Sequence, residues 1–143
     1  NQSKITRSVL PDRKVGPVWY LPGGESSVGL LYKDAHGMYA YAKDKHSGSL
    51  SMPFETVLDK FVQSDFWILS YRGDFNRAKL LAEFQGYSML KPCRTGEIYG
   101  CKVDSIPYFE EVSWRPDWLL SDLIQLFHPD LQIAPIRYYH KLK

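Results

Sequence analysis

Apolar positions recur along the chain with two periods, and the helical one is the clearer. Phe54, Val57, Leu58, Phe61 and Val62 fall at i, i+3, i+4, i+7 and i+8, the spacing that stacks side chains on one helical face. Ser51 offers an N-cap to this helix and Pro53 suits its first turn. A second helix is expected from a cap at Asp74 through about Gln85, with Leu80, Leu81 and Phe84 inward and Gly86 as the stop. A third is expected over Pro116 to Phe127, where Leu119, Leu120, Leu123, Ile124 and Phe127 make a broad apolar face and Pro129 ends it.

The strand signals are shorter. Pro17 to Leu21 is a brief β run ended by Pro22-Gly23-Gly24. Phe66 to Tyr71, FWILSY, is a continuous apolar run of the kind that fills a central strand buried on both faces. Val28 to Lys43 reads as a β-hairpin turning at Asp34-Ala35-His36-Gly37. That register puts Val28, Leu30, Tyr32, Tyr39, Tyr41 and Lys43 on one face and leaves Leu31, Met38 and Ala40 on the other. A second hairpin is expected from Tyr87–Lys91 and Ile98–Val103 around Arg94 to Glu97. Residues 105–114 read as a strand interrupted by Pro107 or as a loop, and the tail from Leu131 as one or two short strands split by Pro135. The resulting order, β, ββ, α, β, α, ββ, α, β, predicts an α+β fold: a single domain with a mostly antiparallel sheet and about three helices.

Composition bounds the class without naming the chemistry. A chain of 143 residues with 44% hydrophobic and 24% charged content is sized for one core. No apolar run approaches the ~20 residues of a membrane span, so a cytoplasmic protein with no membrane partner is expected. The net charge of +2 is uneven. Lys4, Arg7, Arg13 and Lys14 against Asp12 make residues 1–16 a basic, flexible arm ahead of a domain over 17–143, and Arg137, Lys141 and Lys143 make the other end basic too.

The candidate chemistry narrows by elimination. His46-Ser47-Gly48-Ser49 lies in a polar loop without the strand–turn–helix setting of a nucleophile, and Cys93 and Cys101 have no partner in sequence that suggests catalysis, a disulfide or zinc. Arg72-Gly73-Asp74 puts a carboxylate where a phosphate-binding loop would need open backbone donors. No cofactor is therefore expected. What remains is the tyrosine-bearing hairpin face. Tyr39-Ala40-Tyr41 alternates aromatic and small residues as a base-stacking strand does, although Met38 separates Gly37 from the first ring.

The reading that follows is a non-catalytic nucleic-acid-binding protein, with Tyr32, Tyr39 and Tyr41 stacking on bases and Lys33, Lys43, Lys45, Arg72, Arg77 and Arg94 at the phosphates. The alternative is a protein–protein interaction module, an inhibitor or regulatory subunit anchored by exposed aromatics. A small transferase-type enzyme without a readable motif is the third.

Overall fold

The computed structural model describes residues 5–104, 108–131 and 135–142, and the side chains of Phe109 and Ser113 lie outside that description. Two sheets share one core. The first has four strands, β1 (Val9–Pro11), β5 (Phe66–Tyr71), β6 (Ile98–Lys102) and β7 (His140–Lys141), in the order β1-β5-β6-β7. β1 and β6 flank β5 in parallel, and only β7 runs antiparallel. The second sheet is antiparallel, β2 (Lys14–Val15), β3 (Val18–Pro22) and β4 (Ser49–Met52) in sequence order.

Six helices accompany them among the described residues: α1 (Ser27–Asp34), α2 (Phe54–Phe61), α3 (Arg77–Glu83), α4 (Lys91–Thr95), α5 (Tyr108–Trp114) and α6 (Pro116–Phe127), with a 3-10 turn at Gln85–Met89. Mixed α and β content in a small fold agrees with expectation. The principal sheet, however, is mainly parallel and the helices are twice as many as expected.

The strongest periodicities give real elements. α2 buries Val57 and Phe61, α6 buries Leu119, Leu123 and Phe127, and β5 lies at the centre of its sheet with Phe66, Trp67, Ile68 and Leu69 buried. α3 starts at Arg77, later than expected, because the Asn76 side chain rather than Asp74 accepts the hydrogen bond from Lys79 N.

The first expected hairpin is instead a helix followed by an irregular segment. Val28, Leu31, Tyr32 and Ala35 are also spaced i, i+3, i+4 and i+7, and Ser26 caps the helix by accepting from Gly29 N at 3.0 Å. His36, at φ 55°, turns the chain out of α1. The second expected hairpin keeps only β6, because its first half forms the 3-10 turn and α4, closed by Gly96 at φ 81°. Residues 108–114 are helical, not strand or loop. Residues 105–107 lie outside the described residues, as do 132–134 in the tail, where β7 is the one short strand described.

The N-terminal segment is no arm from residue 5 onward. Val9 and Leu10 are buried in β1, while Arg7 donates to Glu97 at 2.6 Å and to the carbonyl of Leu126 at 2.9 Å. Arg13 pairs with Glu83, and Lys141 near the other end with Glu97. Arg7, Arg13 and Lys141 therefore spend their charges on internal partners.

Two packing devices hold the parts together. Asp122, buried on α6, accepts from the backbone N–H groups of Arg137, Tyr138 and Tyr139 at 2.9, 2.7 and 3.1 Å, which fixes the C-terminal segment against the sheet. Pro22-Gly23-Gly24 ends β3 and packs backbone on backbone against the 41–48 segment. Gly23 N donates to Gly48 O and Glu25 N to His46 O. A side chain on Gly24 would run into the carbonyl oxygens of Tyr41, Ala42 and Asp44.

Gly24→Ala is accordingly expected to lower stability in chemical denaturation by at least about 1–3 kcal/mol, the usual cost of overpacking. Gly48→Ala, which opens into free space, should change it by less than about 0.5 kcal/mol.

Candidate functional site

In sheets with parallel strands, ligands bind in the crevice beyond the carboxyl ends of the strands. That place in this fold holds a cleft of about 390 Å³, within the size range of small-molecule sites. Its floor is the ends of β1 and β5, namely Pro11, Asp12, Ile68 and Ser70. The start of α1 brings Ser26, Ser27, Val28 and Tyr32. Ser47, Gly48 and Ser49 make a rim, and Leu119, Leu123, Tyr108 and Tyr139 close the far wall.

Asp12 joins the floor of this cleft because the backbone turns there. β1 is an edge strand, so it tolerates Pro11, which pairs with Ile68. The chain then turns sharply at Asp12, whose φ of 66° lies in the left-handed region. Such a residue costs on the order of 1–3 kcal/mol and persists only where surrounding structure over-determines it.

The surroundings are two indoles. Trp19 Nε1 donates to the carbonyl of Pro11 at 2.9 Å, Trp67 Nε1 donates to the carbonyl of Asp12 at 2.5 Å, and Asp12 N donates to Ile68 O at 2.8 Å. Both tryptophans are fully buried, with ring centroids 5.8 Å apart, and each packs against Tyr87.

The Asp12 carboxylate points to no partner. No hydrogen bond or ion pair reaches it among the described residues, and it is the single charged side chain in the cleft lining. It stays open to solvent, yet the cleft walls crowd out much of its water. That loss raises its carboxyl from an ordinary 3.8 to about 6. Burial pushes the hydroxyls of Tyr32, Tyr108 and Tyr139 up as well, and the charge of Asp12 adds to the effect at each. All three therefore keep their protons at neutral pH, and Tyr108 and Tyr139 are hydrogen-bonded to one another. Among the described residues no three His, Cys, Asp or Glu side chains converge to hold a metal ion.

Of the residues predicted to bind nucleic acid, Tyr32 alone reaches the cleft, and its ring is 2% exposed. Tyr39 is buried against Tyr32 and donates to Pro22 O at 2.5 Å, while Tyr41 packs on Phe61. Tyr32 and Tyr39 are core and Tyr41 is half-buried against them, so the three rings do not form the expected stacking platform. Lys33 lies in the last turn of α1, Lys43 and Lys45 on the 41–48 segment, and Arg72 follows β5, all exposed. Arg77 donates to Cys93 O and Arg94 to Met89 O, each closing local backbone. Of the nine, two rings are buried, one is half-buried and two arginines are engaged by local backbone carbonyls.

No protein-family model and no curated protein matches the chain. Solved structures do share its fold. A periplasmic solute binding protein from Veillonella parvula DSM 2008 is 19% identical with a TM-score of 0.61, over 87% of this chain and 37% of its own. The TroA-like periplasmic binding protein FepB from Veillonella parvula is 19% identical with a TM-score of 0.63, over 89% of this chain and 40% of its own. The chain spans less than half the length of either. These neighbours, together with the buried tyrosines, overturn the nucleic-acid reading, its nucleic-acid partner and the cytoplasmic location expected with it. No described helix is long and apolar enough to cross a membrane.

The carboxyl of Asp12 also makes a statement about stability. Its folded value lies above its unfolded one, so the folded chain holds the extra proton between pH 3.8 and about 6, and stability falls as pH rises through that window. Asp12→Asn removes the charge and keeps a residue tolerant of the left-handed backbone. It is expected to raise the thermal midpoint at pH 8 and to leave it nearly unchanged at pH 3.5, measured by calorimetry.

Proposed function

We propose that this chain is a ligand-binding lobe of an extracytoplasmic solute-binding protein, and that it holds its solute in the cleft beyond β1 and β5. The observation that carries the reading is the Asp12 carboxylate, held by strained backbone at the carboxyl edge of the parallel strands and left without a partner. Natural chains keep such a group where it is used, because an uncompensated charge and a left-handed non-glycine residue both cost stability. The shared fold with two periplasmic binding proteins supports the same assignment. The chemistry needed is modest. The lobe has only to bind and release, and hydroxyls, aromatic walls and one charge suffice for that.

A thermal-shift screen of the 143-residue chain against cationic, neutral and anionic small solutes tests this. A solute present at 100 times its Kd should stabilise the fold by about 2.7 kcal/mol, in a saturable manner. Ser70→Trp, which fills the cleft from the open end of β5, should abolish the shift without lowering the unliganded midpoint. A screen in which no solute of any charge binds would overturn the reading, as would a solute that binds the Ser70→Trp variant equally well.

A further inference from the structure

We propose that the solute taken by this cleft is an organic cation, recognised through an ammonium group placed against Asp12 and the tyrosine walls. The inference rests on the solute-binding reading above and names its ligand class.

The charge pattern makes the case. The lining contains Asp12 and no Lys, Arg, His or second acid, so nothing in the cleft balances the carboxylate when a ligand displaces its water. A burial of that kind is tolerated only with a compensating charge, and here the ligand must bring it.

The titratable groups facing Asp12 come from each packed element. They are Tyr32 from α1, Tyr39 from the segment after it, Tyr108 from α5 and Tyr139 from the C-terminal segment. All are neutral. Arg13, the next residue in the chain, has its guanidinium engaged by Glu83 at 2.8 Å and lies over the Phe75 ring. Among the described residues no internal cation lines the site.

The walls suit the same ligand. Tyr108, half-buried in the lining, offers an aromatic ring, whose quadrupole attracts cations as in sites for quaternary ammonium groups, and the buried Tyr32 and Tyr139 border it. Leu119, Leu123 and Val28 add apolar surface for methyl or methylene groups. The start of α1 argues the other way, since the free N–H groups of a helix N-terminus favour anions. Two things weaken that pull: Ser26 already occupies Gly29 N, and an anion entering 390 Å³ would share the space with a full negative charge. The carboxylate outweighs the partial charge of an eight-residue helix.

Matched probes separate charge from shape. Binding of choline and of its neutral isostere 3,3-dimethylbutan-1-ol, of 1,4-diaminobutane and butane-1,4-diol, and of succinate is measured by calorimetric titration at pH 8 and low salt. At least one cation should bind about tenfold or more tightly than its isostere, with succinate weakest. Asp12→Asn should erase that preference while its thermal midpoint shows the fold intact.

Choline has no titrating group, so its pH profile reads the protein alone. Its affinity should be level above pH about 6 and fall roughly tenfold per unit below it, following the carboxyl.

Isosteres that bind as well as their cations, or succinate binding that tightens in Asp12→Asn, would overturn the proposal. If none of the five binds but the wider screen finds a solute, a neutral or anionic one overturns this inference and leaves the solute-binding reading standing. A cation lost on Asp12→Asn supports both. A screen without any binder removes both.

Discussion

Two tryptophan N–H groups, one from each sheet, hold the carbonyls of two consecutive residues at the end of β1, and most of the architecture depends on that clamp. Trp19 belongs to the antiparallel sheet and Trp67 to the parallel one. Their donors meet on Pro11 and Asp12. A buried carbonyl left without a donor costs about 1–3 kcal/mol, so the two indoles fix the backbone through satisfied bonds and join the sheets through ring packing. The left-handed turn at Asp12 is a consequence of this geometry, and the carboxylate in the cleft is a consequence of the turn.

The rest of the cleft is organised outward from there. Gly23 and Gly24 let β3 end flush against the 41–48 segment, which brings Ser47 and Gly48 to the rim beside Ser49 of β4, with the start of α1 at the wall. On the other side, Asp122 gathers three backbone donors and sets Tyr139 in place. These two carboxylates play opposite parts. Asp122 has its full complement of donors and serves the fold. Asp12 has none among the described residues, which on the proposed reading leaves it for a ligand.

The sequence was legible where the physics is local. α2, α6 and β5 follow from repeated apolar spacing or an unbroken apolar run, and the structure keeps them within a residue or two. It misled where one stretch satisfies two periods. Val28, Leu31, Tyr32 and Ala35 fit a helix, Val28, Leu30, Tyr32 and Tyr39 fit a folded strand, and the capping hydroxyl of Ser26 decides between them. Parallel pairing of β1 with β5 joins residues more than fifty positions apart, and no local pattern announces it. Asp12 was hidden for the same reason. Asp12 lies among the charges of a basic terminus, where Asp12-Arg13-Lys14 resembles part of a nuclease motif without a second carboxylate, and the short apolar run Val9-Leu10-Pro11 before it is the local hint of a strand end. The hairpin tyrosines are conspicuous in the sequence but misplaced by it, since Tyr32 and Tyr39 fill the core, Tyr41 is half-buried, and Tyr32, Tyr108 and Tyr139 are the described tyrosines that border the cleft.

The central claim is that a single unpartnered carboxylate waits in this cleft for a cation, and carbon-13 NMR titration of the Asp12 side chain in aspartate-labelled protein tests it most directly. Without ligand the carboxyl carbon should titrate with a midpoint near 6, and saturating choline should move that midpoint down, since a bound cation favours the ionised form. A midpoint near 3.8 in the free protein, unmoved by any cation that binds, would contradict the account.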